Sequence, residues 1–295
     1  MYLAQPSFAQ RVRRSILRGF KIDPITIEFS RRLQLPIVNY GTRRGFFIGR
    51  RVSPLTVALY ACKELRLESI IGPIPVPRLK ETETPQYVDR AVRWLLSNEK
   101  RRDHFNIWQY DFPWPDYGLE PPWRSALMEA YGALLLLTYG KPHEARKHLE
   151  SILTDYRKAG VSYINKGLLF PLEYVSDRPI LVLNGILRCL LILRECGIRL
   201  DDPDLRSAFE TGYESLKSRL EIFDAGCYTF YDSLGRPADR KYHGLHVELL
   251  RLIYERNKDR ELLPMLERWT RYMKTYPAAE PIAFLHYLIR SKGNV

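Results

Sequence analysis

Most of the chain after residue 85 consists of apolar patterns at helical spacing, separated by short links. Residues 178–196 are apolar nearly all round, which predicts a helix that is buried on every side. Paired helices with short links are typical of an all-α protein built as an α/α toroid, that is, an incomplete (α/α) barrel. The predicted helices are about 54–67, 85–96, 123–139, 142–159, 178–196, 203–220, 242–257, 259–275 and 281–291.

The N-terminal part of the chain has a different pattern. Strand-like runs at Leu35–Tyr40 and Gly45–Arg50 indicate a small β-hairpin. We therefore expect an N-terminal extension over residues 1–52 and an α/α-toroid catalytic domain over residues 53–295.

The net charge of the chain indicates which classes of partner it attracts. A net charge of +12, from 46 Lys and Arg against 34 Asp and Glu, attracts nucleic acid, anionic membranes or acidic glycans. No nucleic-acid-binding motif surrounds the basic runs at Arg11–Arg14 and Arg43–Arg51, so we expect no nucleic acid partner. The basic amphipathic stretch Phe8–Phe20 keeps association with a membrane surface open. A simply solvated basic surface is the alternative.

The cysteine and histidine patterns argue against disulfides and metal sites. The four cysteines form no CxxC pair, which favours reduced thiols in a cytosolic protein. His243 and His246 alone do not make a metal site, and we expect no metal and no cofactor. Because the chain shows neither a signal peptide nor an apolar run long enough to span a bilayer, it is predicted to be cytoplasmic.

Polar and aromatic residues concentrate at the ends of the predicted helices. They fall in four segments, 108–126, 172–185, 228–232 and 241–246. Loops at one end of a helical toroid converge on its mouth, where a ligand cleft forms. We therefore expect these segments to build one site.

Three of these regions resemble the C-terminal domain of D-glucuronyl C5-epimerases, in the same order. The matching stretches are PLEYVSDRPILVLNG at 171–185, DAGCYTFYD at 224–232 and KYHGLHVELL at 241–250. PPWRSALMEAYGALLLL at 121–137 and SPLTVALYACKEL at 53–65 extend the resemblance to about residues 35–275. It implies an enzyme that converts D-glucuronate to L-iduronate within a glycan, without a cofactor, and relatives in this family form homodimers.

The resemblance also assigns site residues. Glu173 and Tyr242 match the two proton-transfer residues of the family, and Tyr231 matches a further catalytic tyrosine. Arg236 is the nearest candidate for the arginine that contacts the uronate carboxylate. With the residues beside these motifs, the predicted substrate-binding set is Tyr174, Arg236, Asn184, His243, Trp123, Arg124 and Tyr40.

The proposed chemistry explains these residue types. Inverting C5 of a uronate removes a proton next to a carboxylate, so the developing enediolate needs a cation or strong hydrogen-bond donors. One group takes the proton from one face of the sugar, and another returns it from the opposite face. A carboxylate in an apolar cleft and a phenol can share this work.

The chain also departs from the family pattern. Relatives carry a β-rich domain ahead of the helical domain, whereas only residues 66–84 separate the matching segments here. Arg124 replaces an aromatic residue, and Asp232 is followed by Ser-Leu rather than Leu-Arg. These changes favour a uronate-containing glycan, oligosaccharide or glycolipid other than a long heparan-type chain.

Other functions and plainer structural roles stay open at this stage. A uronate lyase uses the same C5 proton abstraction, and an inverting hydrolase pairs two carboxylates, for which Asp111 and Asp232 are candidates beside Glu173. A non-catalytic protein that binds acidic glycans is a third alternative. Structurally, Glu173 can be a capping residue, Tyr242 a half-buried aromatic and Arg236 an exposed turn residue.

Overall fold

The computed structural model describes residues 25–77 and 86–276. The described chain begins with short strands. Strands β1, β2 and β5 form an antiparallel sheet in the order β1-β2-β5, and β3 pairs with β4 in a hairpin between β2 and β5. Their bounds are β1 Thr26–Phe29, β2 Pro36–Asn39, β3 Thr42–Arg43, β4 Phe46–Phe47 and β5 Arg50–Arg51. The predicted N-terminal hairpin is therefore present.

Helices make up most of the remaining structure, which confirms the mostly helical class. Two further hairpins, β6–β7 and β8–β9, lie between them. The bounds are α1 Pro54–Glu64, α2 Glu68–Ile71, α3 Tyr87–Asn98, β6 Lys100–Arg101, β7 Asn106–Ile107, α4 Ala126–Thr138, α5 Pro142–Leu153, β8 Ser162–Asn165, β9 Leu168–Pro171, α6 Leu183–Arg199, α7 Pro203–Arg219 and α8 Arg240–Asn257, with residues 263–276 also helical.

Side-chain caps determine where several helices begin. The Ser53 hydroxyl accepts a hydrogen bond from the Thr56 N–H at the start of α1, and Ser125 accepts one from the Met128 N–H in α4. The Asp239 carboxylate accepts one from the Tyr242 N–H in α8. Such caps pair backbone N–H groups that the first helical turn leaves without a partner.

Helices α4 and α6 form the centre of the core. Helix α4 is buried over nearly its whole length, and α6 is buried from Leu183 to Leu193. Helix α4 packs against α1, α5 and α6, while α6 also packs against α7 and α8. Val38 of β2 belongs to the same buried cluster, so the N-terminal sheet shares the helical core.

The structure corrects several predicted boundaries. The helix predicted over 142–159 ends at Leu153, and the one predicted over 178–196 begins at Leu183. The β8–β9 hairpin was not predicted, although Lys166 and Gly167 both adopt the positive φ angles of a tight two-residue turn. The helix predicted at 281–291, the Thr84-Pro85 helix start and the Phe8–Phe20 stretch lie outside the described residues.

The described residues contain neither a membrane-spanning helix nor a disulfide. Across residues 25–77 and 86–276, no helix combines the length and apolar character needed to cross a membrane. Cys62, Cys189, Cys196 and Cys227 are all free, and the first three are buried.

Candidate active site

A cavity of about 270 Å³ opens between the N-terminal sheet, the aromatic loop that precedes α4, and helices α6 and α8. Its lining is mainly apolar and aromatic. Among the described lining residues, one side chain is acidic, Glu173, and one is basic, Arg188. An apolar cleft with a few convergent polar groups is the usual form of a small-molecule site.

Glu173 is held in the cavity wall by the strand pair β8–β9. The Leu172 backbone donates to the Val161 carbonyl and accepts from the Ala126 N–H, which fixes the chain immediately before Glu173. Only 8% of Glu173 is exposed. Its Oε2 accepts a hydrogen bond from Asn184 Nδ2 over 3.2 Å, and its Oε1 accepts one from the Tyr231 hydroxyl over 3.3 Å.

Burial has the largest effect on the pKa of Glu173. Desolvation raises the pKa of this carboxyl to about 7, because a low-dielectric surrounding disfavours the charged form. Hydrogen bonds from Tyr174 and Tyr231 and the charge of Arg188 act in the opposite direction. The carboxyl can therefore be either protonated or ionised near neutral pH.

Tyr242 lines the same cavity from the first turn of α8. It keeps 37% of its surface exposed. Desolvation raises the pKa of its phenol to about 12, and the charge of Glu173 adds to this shift. At neutral pH Tyr242 is a neutral proton donor.

Tyr231 lies between these two groups. Its hydroxyl contacts Glu173, and its ring meets the Tyr242 ring edge-on, with 5.0 Å between the centroids. Backbone hydrogen bonds to Leu183 and Arg236 hold the Tyr231 segment against the start of α6. Burial raises the pKa of Tyr231 well above its ordinary value, so it also stays protonated.

Aromatic rings form much of the remaining cavity wall. Tyr174 stacks on Tyr117 with 4.3 Å between ring centroids, and Trp123 stacks on Tyr110 at 3.8 Å. Tyr40 packs edge-on against another lining residue, Trp114. Such faces suit the C–H groups of a sugar ring.

Two lining residues carry polar atoms without a partner. Asn184 Oδ1 and Trp114 Nε1 are buried and make no hydrogen bond within the described structure. Buried polar groups are almost always paired, so an unpaired acceptor and an unpaired donor in one cavity point to a polar ligand.

The predicted site residues divide into two groups. The structure brings seven of them to the cavity, namely Glu173, Tyr242, Tyr231, Tyr174, Asn184, Trp123 and Tyr40. Three others, Arg236, His243 and Arg124, are not among the lining residues.

Each of these three is engaged elsewhere. The Arg236 guanidinium lies 4.1 Å from the centre of the Tyr117 ring and pairs with Asp232 at 3.4 Å, so the clamp predicted for it is not supported by its position. His243 is fully buried and bonds the Trp269 carbonyl. Arg124 donates to the Tyr156 carbonyl. These positions do not support substrate contacts by the three residues, and such contacts stay predictions.

The carboxylates proposed for an inverting hydrolase do not face Glu173 across the cavity. Asp232 is buried outside the lining, where it accepts a hydrogen bond from the Tyr117 hydroxyl. Asp111 is exposed. Because an inverting hydrolase needs two carboxyl groups on either side of a water, this arrangement does not favour hydrolysis.

Arg188 is the main lining residue that sequence reasoning missed. It interrupts the apolar helix α6 four residues after Asn184. Residues four apart share one face of a helix, so two polar side chains at this spacing were a usable signal for a site.

The chain is similar to a known protein family and to several known proteins. A family model described as the D-glucuronyl C5-epimerase C-terminus matches residues 102–271. The uncharacterized protein MJ1128 of Methanocaldococcus jannaschii is 26% identical over 290 residues, which cover 90% of each chain. A D-glucuronyl C5-epimerase of Caenorhabditis elegans is 26% identical over 209 residues, 62% of this chain and 34% of that enzyme. The chain thus spans about a third of the length of the nematode relative.

A solved structure, that of D-mannose isomerase, is similar in fold. It superimposes with a TM-score of 0.51 and covers 90% of this chain and 71% of its own, at 11% sequence identity. This likeness concerns the fold alone. The family match supports a carbohydrate epimerase-like role for the chain. Because that match covers more than half of the 295 residues, the protein belongs to the D-glucuronyl C5-epimerase C-terminus family.

Proposed function

We propose that the protein is an epimerase that inverts C5 of a D-glucuronate residue in a glycan. One observation carries the proposal: the Glu173 carboxyl and the Tyr242 phenol line the same cavity, and Tyr231 contacts both residues. They come from the loop after β9 and from the start of α8, so they reach a ligand from different elements.

The protonation states of Glu173 and Tyr242 support a role for each residue in the first proton transfer. With a pKa of about 7, Glu173 is available as a carboxylate near neutral pH, whereas Tyr242, with a pKa of about 12, holds its proton. The resting site therefore contains one base and one acid. Glu173 removes the C5 proton from one face, and Tyr242 donates a proton to the other face.

The bonds and charges balance in this scheme. The C5–H bond breaks, its proton goes to Glu173, and its electron pair spreads into the substrate carboxylate as an enediolate. A new C5–H bond then forms with the Tyr242 proton, which leaves a tyrosinate. Exchange with solvent returns the proton to Tyr242 and removes the one on Glu173.

Sugar recognition follows from the rest of the lining. The Tyr174 and Trp123 rings offer apolar faces to the sugar, while Trp114 Nε1 and Asn184 Oδ1 supply an unpaired donor and acceptor for its hydroxyls. The whole substrate is proposed to be a uronate-containing glycan or oligosaccharide.

The fold gives a frame for this site. We infer that the helices form an incomplete α/α toroid, with the largely buried α4 and α6 as inner helices. The loops that carry Glu173 and Tyr231 then lie at its mouth. Similarity of fold to a sugar isomerase structure is consistent with this arrangement.

Deuterium incorporation tests the proposal and separates it from the alternatives. The protein is incubated with a glucuronate-containing oligosaccharide in D₂O, and the product is examined by NMR. We expect deuterium at C5 and conversion to iduronate without chain cleavage. An unsaturated, ultraviolet-absorbing product would instead identify a lyase, and new saturated reducing ends would identify a hydrolase. A glycan that stays unchanged with every uronate substrate would identify a binding protein.

Matched variants connect the reaction to the site. Glu173→Gln and Tyr242→Phe are each expected to lower the rate of conversion by about 10³-fold, within the range of general acid–base catalysis. Glu150→Gln and Tyr272→Phe change residues of the same types outside the cavity lining and should keep the wild-type rate. Wild-type conversion by either site variant would remove that residue from the mechanism.

A further inference from the structure

Arg188 occupies an unusual position for a charged side chain. It lies in the middle of α6, one helical turn after Asn184, and only 2% of it is exposed. It nevertheless lines the cavity that contains Glu173 and Tyr242. Burying a guanidinium costs free energy unless an anion or a full set of hydrogen bonds compensates it.

The partners of Arg188 are all neutral. Its Nη1 donates to the Ile71 carbonyl over 3.0 Å and to the Tyr131 hydroxyl, and its Nη2 donates to the Pro73 carbonyl. Within the described ranges, no carboxylate lies within ion-pair distance of this guanidinium. The three contacts orient the fork without neutralising its charge.

The charge of Arg188 reaches both proposed proton-transfer groups. All three residues line one cavity, and the positive charge acts to lower the pKa of Glu173 and the pKa of Tyr242. Arg236, by contrast, is already paired with Asp232 and covered by the Tyr117 ring. Among the described lining residues, Arg188 is therefore the cation available to a bound ligand.

We propose that Arg188 binds the substrate carboxylate and that Asn184 binds a hydroxyl of the same sugar, an inference that rests on the proposed function. Nη1 gives both of its hydrogens to Ile71 and Tyr131, so Nε–H and the second Nη2–H remain for a carboxylate, which can accept two parallel charge-assisted hydrogen bonds from them. Such a pair neutralises the carboxylate, which is what makes the C5 proton removable, and stabilises the enediolate once it forms. The unpaired Oδ1 of Asn184 accepts from a hydroxyl of the same sugar.

A binding measurement tests the proposed role of Arg188 independently of turnover. Methyl β-D-glucuronoside and its neutral analogue methyl β-D-glucoside are titrated by NMR into a Glu173→Gln protein, into the same protein with Arg188→Met, and into the same protein with Arg236→Met. The Arg188→Met change should reduce the preference for the uronate by about tenfold or more, since charge-assisted hydrogen bonds are lost. It should leave glucoside affinity nearly unchanged, and Arg236→Met should keep the full preference.

The outcomes are distinct. An unchanged uronate preference in Arg188→Met, or its loss in Arg236→Met, would overturn the proposed role of Arg188. If circular dichroism shows that Arg188→Met does not fold, Arg188→Lys is tested instead. This variant keeps a cation but not the guanidinium fork, so we expect its preference for the uronate to be lower than that of the wild type. Failure of the proposed epimerisation would appear as missing C5 deuterium, whatever the binding preference.

Discussion

The Tyr231 hydroxyl donates a hydrogen bond to Glu173 Oε1 over 3.3 Å. The same tyrosine presents its ring edge-on to Tyr242, with 5.0 Å between centroids. One phenol therefore contacts both residues to which we assign proton transfer. This contact favours the ionised form of Glu173 against the opposing effect of burial.

The pH dependence of activity should follow from these groups. Because Glu173 acts as a carboxylate, kcat/KM is expected to rise as the pH passes through about 7 and then to stay level to at least about pH 9, where Tyr242 still holds its proton. Tyr231→Phe removes a hydrogen bond to the carboxylate and should move the rise to higher pH. Initial rates of epimerisation across this range measure both effects, with Tyr272→Phe as the control. A rise at the same pH in Tyr231→Phe would contradict the assigned contact.

Glu173 is expected to lower stability at neutral pH. Its pKa is about 7 in the folded protein against an ordinary value of 4.5, so between these pH values the unfolded chain gives up the proton first. The contribution of this one group to the free energy of unfolding should therefore fall from about pH 4.5 to about pH 7, by up to about 3 kcal/mol, and stay level above. The Glu173→Gln variant lacks this loss. Its free energy of unfolding, measured with denaturant, should exceed that of the wild type by an amount that grows over the same pH range. A difference that does not vary with pH would contradict the burial of this carboxyl.

Gly185 gives Glu173 the space that it occupies. A Cβ added at Gly185 would lie 2.7 Å from Glu173 Oε2 and 3.0 Å from Glu173 Cβ. Gly185→Ala should displace the carboxyl and reduce kcat about 10- to 100-fold, because small misplacements of catalytic groups are costly. Gly244→Ala is the matched control, since its Cβ would meet Met273 at an ordinary 3.4 Å. It should keep activity and gain up to about 1 kcal/mol of helix stability. Equal activity in the two variants would rule out a steric role for Gly185.

The helical part of the fold was predictable because its signals are local. Ser53-Pro54 and Asp202-Pro203 mark helix starts in the printed sequence, and both are helix starts in the structure. The apolar run over residues 178–196 predicted a buried helix for the same reason, and the structure has a helix at Leu183–Arg199. The β8–β9 hairpin was missed because each strand has only four residues, which is too short for a clear periodic pattern.

The site was predictable only where residues act within a motif. Glu173 and Tyr242 follow from the family resemblance, and the structure places both at one cavity. The contacts of Arg236 could not be predicted, because one of its two partners, Tyr117, lies over a hundred residues away in sequence. Long-range pairing of this kind leaves no local pattern.

Release of label from C5 tests the central claim most directly. Glucuronate and iduronate oligosaccharides carrying deuterium at C5 are given separately to Glu173→Gln and to Tyr242→Phe, and loss of deuterium is followed by NMR under single-turnover conditions. If the two residues serve opposite faces, one epimer should lose its label only when Glu173 is intact and the other only when Tyr242 is intact. If both epimers depend on the same residue, or if neither substitution slows release, the two-faced site is contradicted.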